Sequence, residues 1–179
     1  GFFGANINDP EFHELLVRWF EYGCFCPVMR LHGYRWPLQP QYGTTGGATC
    51  VSGAPNEVWS YTDQVCEILS DYLRLRERML PYITELMEEA HEKGTPVMRP
   101  LFYDFPEDKE SWNVETEYMF GPKVLVKPIT DADARETDVY LPGGASWTNA
   151  WTGETFEGGQ KVHVAAPIEQ IPLFTRDGY

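Results

Sequence analysis

The chain has 179 residues, the length of one ordinary domain, and 42% of them are hydrophobic, which is enough for a packed core. Fourteen Lys and Arg against 27 Asp and Glu give a net charge of −13. A field of that sign repels phosphates and anionic head groups, so the composition disfavours nucleic-acid binding and membrane-surface binding. Aromatic residues make up 15% of the chain, and their ring faces suit an uncharged polar ligand such as a sugar.

Targeting and cysteine signals are sparse. No stretch approaches the roughly 18 consecutive apolar residues of a membrane span, and no basic-then-apolar leader opens the chain. The first residue is Gly1 rather than Met, which predicts a piece of a longer protein. Cys24 and Cys26 lie one residue apart while Cys50 and Cys66 stand alone, so buried free thiols are predicted rather than a zinc site or a disulfide framework. The compartment is left open, with the cytoplasm preferred.

The first predicted elements are a helix and a short buried strand. Asp9 is a favourable N-cap with proline next to it, and apolar residues recur at helical spacing over residues 10–22. The run over residues 25–29 is short and continuously apolar, which predicts a strand. Arg30 and His32 follow at its polar end, where side chains could perform chemistry.

A loop and a long helix come next. Residues 34–56 are rich in Gly, Pro, Thr and Gln and have no period, which is typical of a functional rim loop or of a mobile segment. Thr62 can cap a helix that ends at residue 93, with Gly94 as its C-terminal stop. Pro81 inside this helix predicts a kink.

After residue 95 the helical period disappears and short strands separated by turn clusters take over, typical of an antiparallel sheet or sandwich. The predicted strands are 97–102, 118–129, 138–141, 161–164 and 171–174. The chain therefore divides into α/β material at 1–95 and an all-β domain at 96–179. Two helices with one strand between them cannot close a core alone, so the first part looks like the tail of a larger α/β unit.

An ordered set of motifs covers nearly the whole chain. They are GFFG at 1–4, DPEFHELLVRWFEYGCFCPVMRLHG at 9–33, LRERMLPYITELMEEAHEKGTPVMRPLFYDFPED at 75–108, YMFGPKVLVKPI at 118–129, VYLPGGASW at 139–147 and APIEQIPLFTRDG at 166–178. In this order and spacing they resemble the end of the catalytic domain and the following β domain of glycoside hydrolase family 31. That family contains retaining α-glucosidases and α-xylosidases.

The resemblance implies the last quarter of a (β/α)8 TIM barrel, followed by an antiparallel β-sandwich. The seventh barrel strand would end before Gly1, the eighth at Arg30 and His32, and the last helix would be 62–93. Retaining glycosidases use two carboxyl groups, and the family's two aspartates would both lie upstream of Gly1. No catalytic residue is therefore assigned, no cofactor or metal is expected, and the chain alone is expected to be inactive.

Three residues are candidates for binding substrate. Arg30 and His32 are two apart along the predicted strand, so their side chains should point the same way. The resemblance implies that His32 donates to or accepts from a sugar hydroxyl, that Arg30 orients nearby carboxylates, and that Phe2 forms part of the pocket wall. Without the resemblance, an Arg paired to a buried carboxylate, a His satisfied in the core and a packed Phe are the simpler interpretation.

We interpret several other conspicuous side chains as structural residues without a role in binding or catalysis. Trp19 and Phe20 are predicted to pack in the core, Arg99 to tie the helical part to the β domain, and His91 and His163 to have no metal role. The expected partner is an oligosaccharide or small glycoside, and homo-oligomerisation of the parent is left open. RLHG at 30–33 looks more like the α-xylosidase side of the family. A non-catalytic carbohydrate-binding or interdomain packing module, and a transglycosylating parent, are the alternatives.

Overall fold

The computed structural model describes residues 2–178, with the side chains of all of them except Phe2 and Phe3. Gly1 lies outside the described residues. The helices are α1 (Pro10–Cys24), α2 (Asp63–Lys93) and the short α3 (Leu101–Asp104). The strands are β1 (Phe2–Asn6), β2 (Gly33–Trp36), β3 (Met98–Arg99), β4 (Tyr118–Phe120), β5 (Val124–Val126), β6 (Glu136–Leu141), β7 (Ser146–Asn149), β8 (Thr155–Glu157), β9 (Gln160–Ala165) and β10 (Leu173–Arg176). None of the helices in this part of the chain has the length and apolar character needed to cross a bilayer.

Local capping sets the start of α1, as predicted. The Asp9 carboxylate accepts the backbone N–H of Glu11 at 3.0 Å, and proline occupies the first helical turn. The helix buries Phe20 as predicted, but Trp19 is 55% exposed, so the prediction that Trp19 packs in the core is wrong. Trp19 instead makes a partly exposed edge-to-face contact with Tyr22 on the same helix, with 5.7 Å between the ring centroids.

The α2 helix also matches its sequence signals. The Thr62 hydroxyl accepts the N–H of Val65, and Gly94 ends the helix at φ 72°. A side chain is disfavoured at this positive φ, which explains the glycine. The helix runs on through Pro81 as one element.

The run over residues 25–29 is not a strand, which corrects the prediction made for it. A strand needs a neighbouring strand to pair its N–H and C=O groups, and none of the described strands runs beside this segment. The side chain of Arg76 on α2 takes over part of that role. Its guanidinium donates to the carbonyls of Cys24 at 2.8 Å, Cys26 at 2.9 Å and Pro27 at 3.1 Å.

The barrel-like strand pair is formed instead by β1 and β2, which run parallel with Phe2 opposite Gly33 and Asn6 opposite Trp36. The GFFG stretch has the composition of a turn, but its residues 2–4 lie in an extended strand. The following segment is not without structure, because a bridge joins Gln39 to Ser52 and Ala54 donates to the carbonyl of Arg35.

The β half is a two-layer antiparallel sandwich. One sheet has the strand order β3-β4-β5-β10-β7-β8, and the other pairs β6 with β9. Apolar side chains from both layers meet in a core that includes Leu125, Val139, Trp147 and Val162. The β7 and β8 strands were not predicted.

Two predicted strands of this half are shorter than expected. Residues 97–102 give only the two residues of β3, because Pro100 has no N–H for a ladder and precedes the α3 turn. Residues 118–129 fold into the β4–β5 hairpin, whose turn includes Gly121 at φ 61°.

The helical half and the β half share one core. Side chains of α1 and α2 pack with Phe120, Val126, Ile171 and Leu173. Arg18 on α1 reinforces the contact by donating to four backbone carbonyls, those of Ala134, Ala166, Pro167 and Gln170. The division of the chain at 95/96 stays a prediction.

Two smaller predictions concern the junction and the thiols. Arg99 is buried and binds Asp104 of α3 at 3.1 Å and Glu89 of α2 at 3.8 Å, which is the tie expected for it. All four cysteines are free thiols. Cys24 is buried as predicted and Cys26 and Cys66 are half-buried, but Cys50 is exposed, so the prediction of burial is wrong for Cys50.

Candidate sugar-binding site

Arg30 and His32 lie side by side on the surface. Nη2 of Arg30 is 3.1 Å from Nδ1 of His32, and both side chains are exposed. A guanidinium can only donate, so Nδ1 accepts and the ring proton of a neutral His32 is on Nε2.

The backbone around this pair differs from the prediction. Arg30 and His32 precede β2 and lie at its N-terminal end, not at the C-terminal end of a buried strand. Their side chains still share one side of the chain, as the spacing of two predicted. The register of β1 and β2 sets the backbone of Phe2 opposite Gly33, the residue that follows His32. The backbone of Phe2 and the segment that carries Arg30 and His32 therefore lie at the same end of the β1–β2 pair, and the side chain of Phe2 lies outside the described residues.

Packing beneath the site fixes where Arg30 emerges. Phe25 is buried against Phe120, and Met29 approaches the thiol of Cys24 at 3.9 Å between the sulfurs. Burial raises the pKa of the Cys24 thiol to about 12, so this sulfur is an inert packing group and not a nucleophile. With the Arg76 contacts described above, these interactions hold the segment that carries Arg30.

A groove of about 380 Å³ runs beside the pair, between α1 and the segment after it. Its lining includes Leu15, Trp19, Val28, Arg30 and His32. Apolar ring and aliphatic surface next to a hydrogen-bonding pair suits a pyranose, which has an apolar C–H face and a hydroxyl rim.

A second cleft, missed in the sequence, is lined by residues of β2 and of the segment that follows it. This Arg35 cleft has a volume of about 620 Å³ and is lined by Gly33, Arg35, Tyr42, Asn56, Glu57 and Trp59, with residues 52–55 and 60. The signal that could have drawn attention to it is Arg35 itself, a charge placed between two aromatic residues in a strand-like run. Arg35 is 1% exposed, an uncommon burial for a cationic side chain.

Three of the acidic side chains have structural contacts. Asp9 caps α1, Asp63 lies in the first turn of α2, and Glu89 pairs with Lys93 and Arg99. Among residues 2–178, no three His, Cys, Asp or Glu side chains are grouped so that they could hold a metal ion.

Comparison with protein-family models decides the relationship. Residues 1–86 match the model described as the TIM-barrel domain of glycosyl hydrolases family 31, and residues 94–179 match the model of that family's C-terminal domain. The chain belongs to glycoside hydrolase family 31. It consists of the end of the family's TIM barrel and the family's C-terminal β domain.

Similar family 31 proteins include both xylosidases and glucosidases. An alpha-xylosidase of Saccharolobus solfataricus is 36% identical over 99% of this chain, and alpha-glucosidase 2 of Bacillus thermoamyloliquefaciens is 36% identical over 99%. The chain spans only 22% and 20% of the lengths of these two relatives.

Solved structures give the same assignment. The crystal structure of a GH31 alpha-xylosidase from a soil metagenome, complexed with xylose, is 48% identical. It superimposes with a TM-score of 0.94 over 100% of this chain and 27% of its own. A GH31 dextranase of Flavobacterium johnsoniae, complexed with glucose, is 30% identical with a TM-score of 0.81 over 97% of this chain and 20% of its own.

Proposed function

We propose that this chain is part of a retaining α-glycosidase that releases terminal α-linked xylose or glucose from oligosaccharides or small glycosides. The two catalytic carboxylates of that enzyme belong to parts of the barrel outside this chain, so the chain alone is inactive. The contact between Arg30 and His32, at the end of the β1–β2 pair and beside an apolar groove, is the observation that carries the proposal.

In this function His32 is a substrate-binding residue. Its Nε2–H donates to a hydroxyl of the sugar at the cleaved bond, while the Nδ1 contact with Arg30 holds the ring in the tautomer that donates. Arg30 keeps further N–H groups for the carboxylates around the bound sugar, and a charge-assisted hydrogen bond orients such groups well. Phe2 supplies apolar surface at the pocket wall.

Xylose is the favoured sugar. The RLHG sequence at 30–33 has the α-xylosidase character noted above, and the 48% identical structure is an alpha-xylosidase that holds xylose. Transglycosylation uses the same pocket, and product analysis with a sugar acceptor distinguishes it from hydrolysis.

The test is the activity of the intact enzyme on 4-nitrophenyl α-xyloside and 4-nitrophenyl α-glucoside, with the 179-residue chain measured in parallel. We expect turnover by the intact enzyme only, and faster turnover of the xyloside. Activity of the 179-residue chain would show that its own carboxylates perform the reaction and would overturn the assignment. An intact protein that binds these sugars without cleaving them would instead favour the carbohydrate-binding module.

A further inference from the structure

Five consecutive backbone carbonyls, those of residues 23–27, accept hydrogen bonds from only two side chains. The guanidinium of Arg76 donates to four of them, the carbonyls of Gly23 at 3.4 Å, Cys24 at 2.8 Å, Cys26 at 2.9 Å and Pro27 at 3.1 Å. The hydroxyl of Tyr118 donates to the remaining one, the carbonyl of Phe25, at 3.0 Å. Residues 23–27 together with these two side chains are called the carbonyl clamp below.

Arg76 reaches the carbonyl clamp from α2. The last carbonyls of a helix have no partner within that helix, and α1 has no basic residue in its own last turn. Arg76 supplies both the missing hydrogen bonds and a positive charge, which suits the negative end of the α1 dipole. Because its two terminal nitrogens share four carbonyls, the contact fixes the direction of the chain as well as its position.

Tyr118 reaches the clamp from β4, on the side of the β half. Its ring lies edge-to-face against Tyr22, with 6.0 Å between the centroids, and Phe120 packs edge-to-face on Phe25 at 6.1 Å. Burial raises the pKa of the Tyr118 hydroxyl, so this group stays protonated and able to donate at neutral pH. The β half therefore contacts the segment that leads to Arg30 through a directional polar contact as well as through apolar packing.

The clamp lies next to Arg30 and His32 along the chain. Arg30 follows Pro27 by three residues, so their α-carbons are at most about 11 Å apart. On the other side of the pair the chain is anchored at Gly33, the first residue of β2. Residues 28–32 between these two anchors belong to neither a helix nor a strand. Their position therefore depends on the anchors, and a movement of the clamp would displace the pair.

We propose that Arg76 and Tyr118 are positioning residues for substrate binding, because they set the place from which Arg30 and His32 reach the sugar. Through Tyr118 the β half takes part in sugar binding, although the pair itself belongs to the part of the chain that matches the TIM barrel. A displacement of about 1 Å in a binding group can cost about 100-fold in rate, so a weakened clamp should be visible in the kinetics. This proposal rests on the glycosidase function proposed above.

The test is a double-substitution cycle in the intact enzyme, with kcat/KM measured on 4-nitrophenyl α-xyloside. Tyr118→Phe removes one hydroxyl and keeps the ring, and we expect kcat/KM to fall about tenfold. In a protein that already carries His32→Ala, the same substitution should lower kcat/KM by less than about threefold, because the main group that it positions is gone. A general loss of structure would instead be as large in both backgrounds.

Arg76→Lys is the second variant, since it keeps the charge but has one nitrogen that cannot span four carbonyls. It should lower kcat/KM at least about tenfold, with the same smaller effect in the His32→Ala background. The matched control is Tyr140→Phe, which removes another tyrosine hydroxyl of the β half, one that donates to Asp108 at 2.7 Å. It should leave kcat/KM unchanged. Equal losses for Tyr118→Phe in the two backgrounds, or no loss in either, would overturn the proposal.

Hydrogen exchange of the intact protein separates this proposal from the glycosidase function. The N–H groups of Phe25 and Cys26 donate to carbonyls in the last turn of α1. Their exchange should be at least about fivefold faster in Tyr118→Phe and in Arg76→Lys, and unchanged in Tyr140→Phe. If the intact protein cleaves neither nitrophenyl glycoside but these amides exchange faster in both variants, the glycosidase function fails and the clamp stands. Unchanged exchange in both variants would overturn the clamp whatever the activity.

Discussion

Nη2 of Arg30 donates to Nδ1 of His32 across 3.1 Å, and in the proposed function Nε2 of this histidine binds the substrate. Replacing His32 by alanine in the intact enzyme removes that donor and leaves a substrate hydroxyl without its partner. We expect kcat/KM on 4-nitrophenyl α-xyloside to fall about 100-fold, equivalent to about 2–3 kcal/mol of lost transition-state stabilisation. His163→Ala, on the exposed face of β9, is the control and should retain activity. Undiminished turnover in His32→Ala would remove His32 from the site.

Arg76 on α2 is predicted to be one of the most important polar side chains for stability. It donates to carbonyls at the end of α1 and in the segment that leads to Arg30, with distances from 2.8 to 3.4 Å. Arg76→Met should lower the free energy of unfolding of the 179-residue chain by about 2–3 kcal/mol, measured by denaturant titration. Arg74→Met, two residues away, breaks only an exposed pair with Asp71 and should cost under about 1 kcal/mol. Equal effects of the two substitutions would contradict this role of Arg76.

The buried carboxyl group of Glu117 should make the folding stability of the chain depend on pH. Burial raises the pKa of its carboxyl to about 7, against the opposing effects of the Tyr140 N–H and Lys127. The folded chain therefore keeps this proton at pH values where the unfolded chain, with an ordinary glutamate pKa near 4.5, has lost it. Stability should consequently fall as pH rises from about 4.5 to about 7, with a contribution of about 1.4 kcal/mol per pKa unit.

The variant that checks this is Glu117→Gln, whose unfolding free energy should fall less over the same pH window. Glu115→Gln replaces an exposed neighbour and should follow the unsubstituted chain. A slope in Glu117→Gln identical to that of the unsubstituted chain would show that Glu117 ionises equally in both states.

Gly53 is predicted to be required for the close approach of two backbones at the Arg35 cleft. A Cβ at this position would lie 2.8 Å from the backbone nitrogen of Arg35. Gly53→Ala should therefore weaken the hydrogen bond from Ala54 to the Arg35 carbonyl, and the amide of Ala54 should exchange with solvent at least about tenfold faster. Gly47→Ala has open space around the added methyl group and should leave that exchange rate unchanged.

Local signals in the sequence predicted the two long helices well. Capping by Asp9 and Thr62 and the stop at Gly94 depend only on residues within a turn of each other, so they can be recognised without knowledge of the fold. The family motifs identified Arg30 and His32 as candidate substrate-binding residues, which stays a prediction. Their spacing of two residues predicted that the two side chains lie on the same side of the chain.

The remaining features depend on contacts between distant segments. The apolar run at 25–29 has the composition of a strand, yet strand formation depends on a neighbour that no described residue supplies. The β7 strand has four residues and was missed because its apolar signal consists of Trp147 alone. The Arg35 cleft was missed because a sequence does not show that Arg35 is buried.

The core shared by the helices and the β sandwich limits how this region can be recombined. A chimera that exchanged only the β half with that of a relative would place new side chains at Phe120 and Leu173 against unchanged partners on α1 and α2. It would also replace the backbone carbonyls that receive Arg18. Mismatched volumes at such an interface typically cost about 1–3 kcal/mol each. A crossover point placed before α1 keeps these contacts together, so family 31 chimeras should exchange residues 10–178 as one unit.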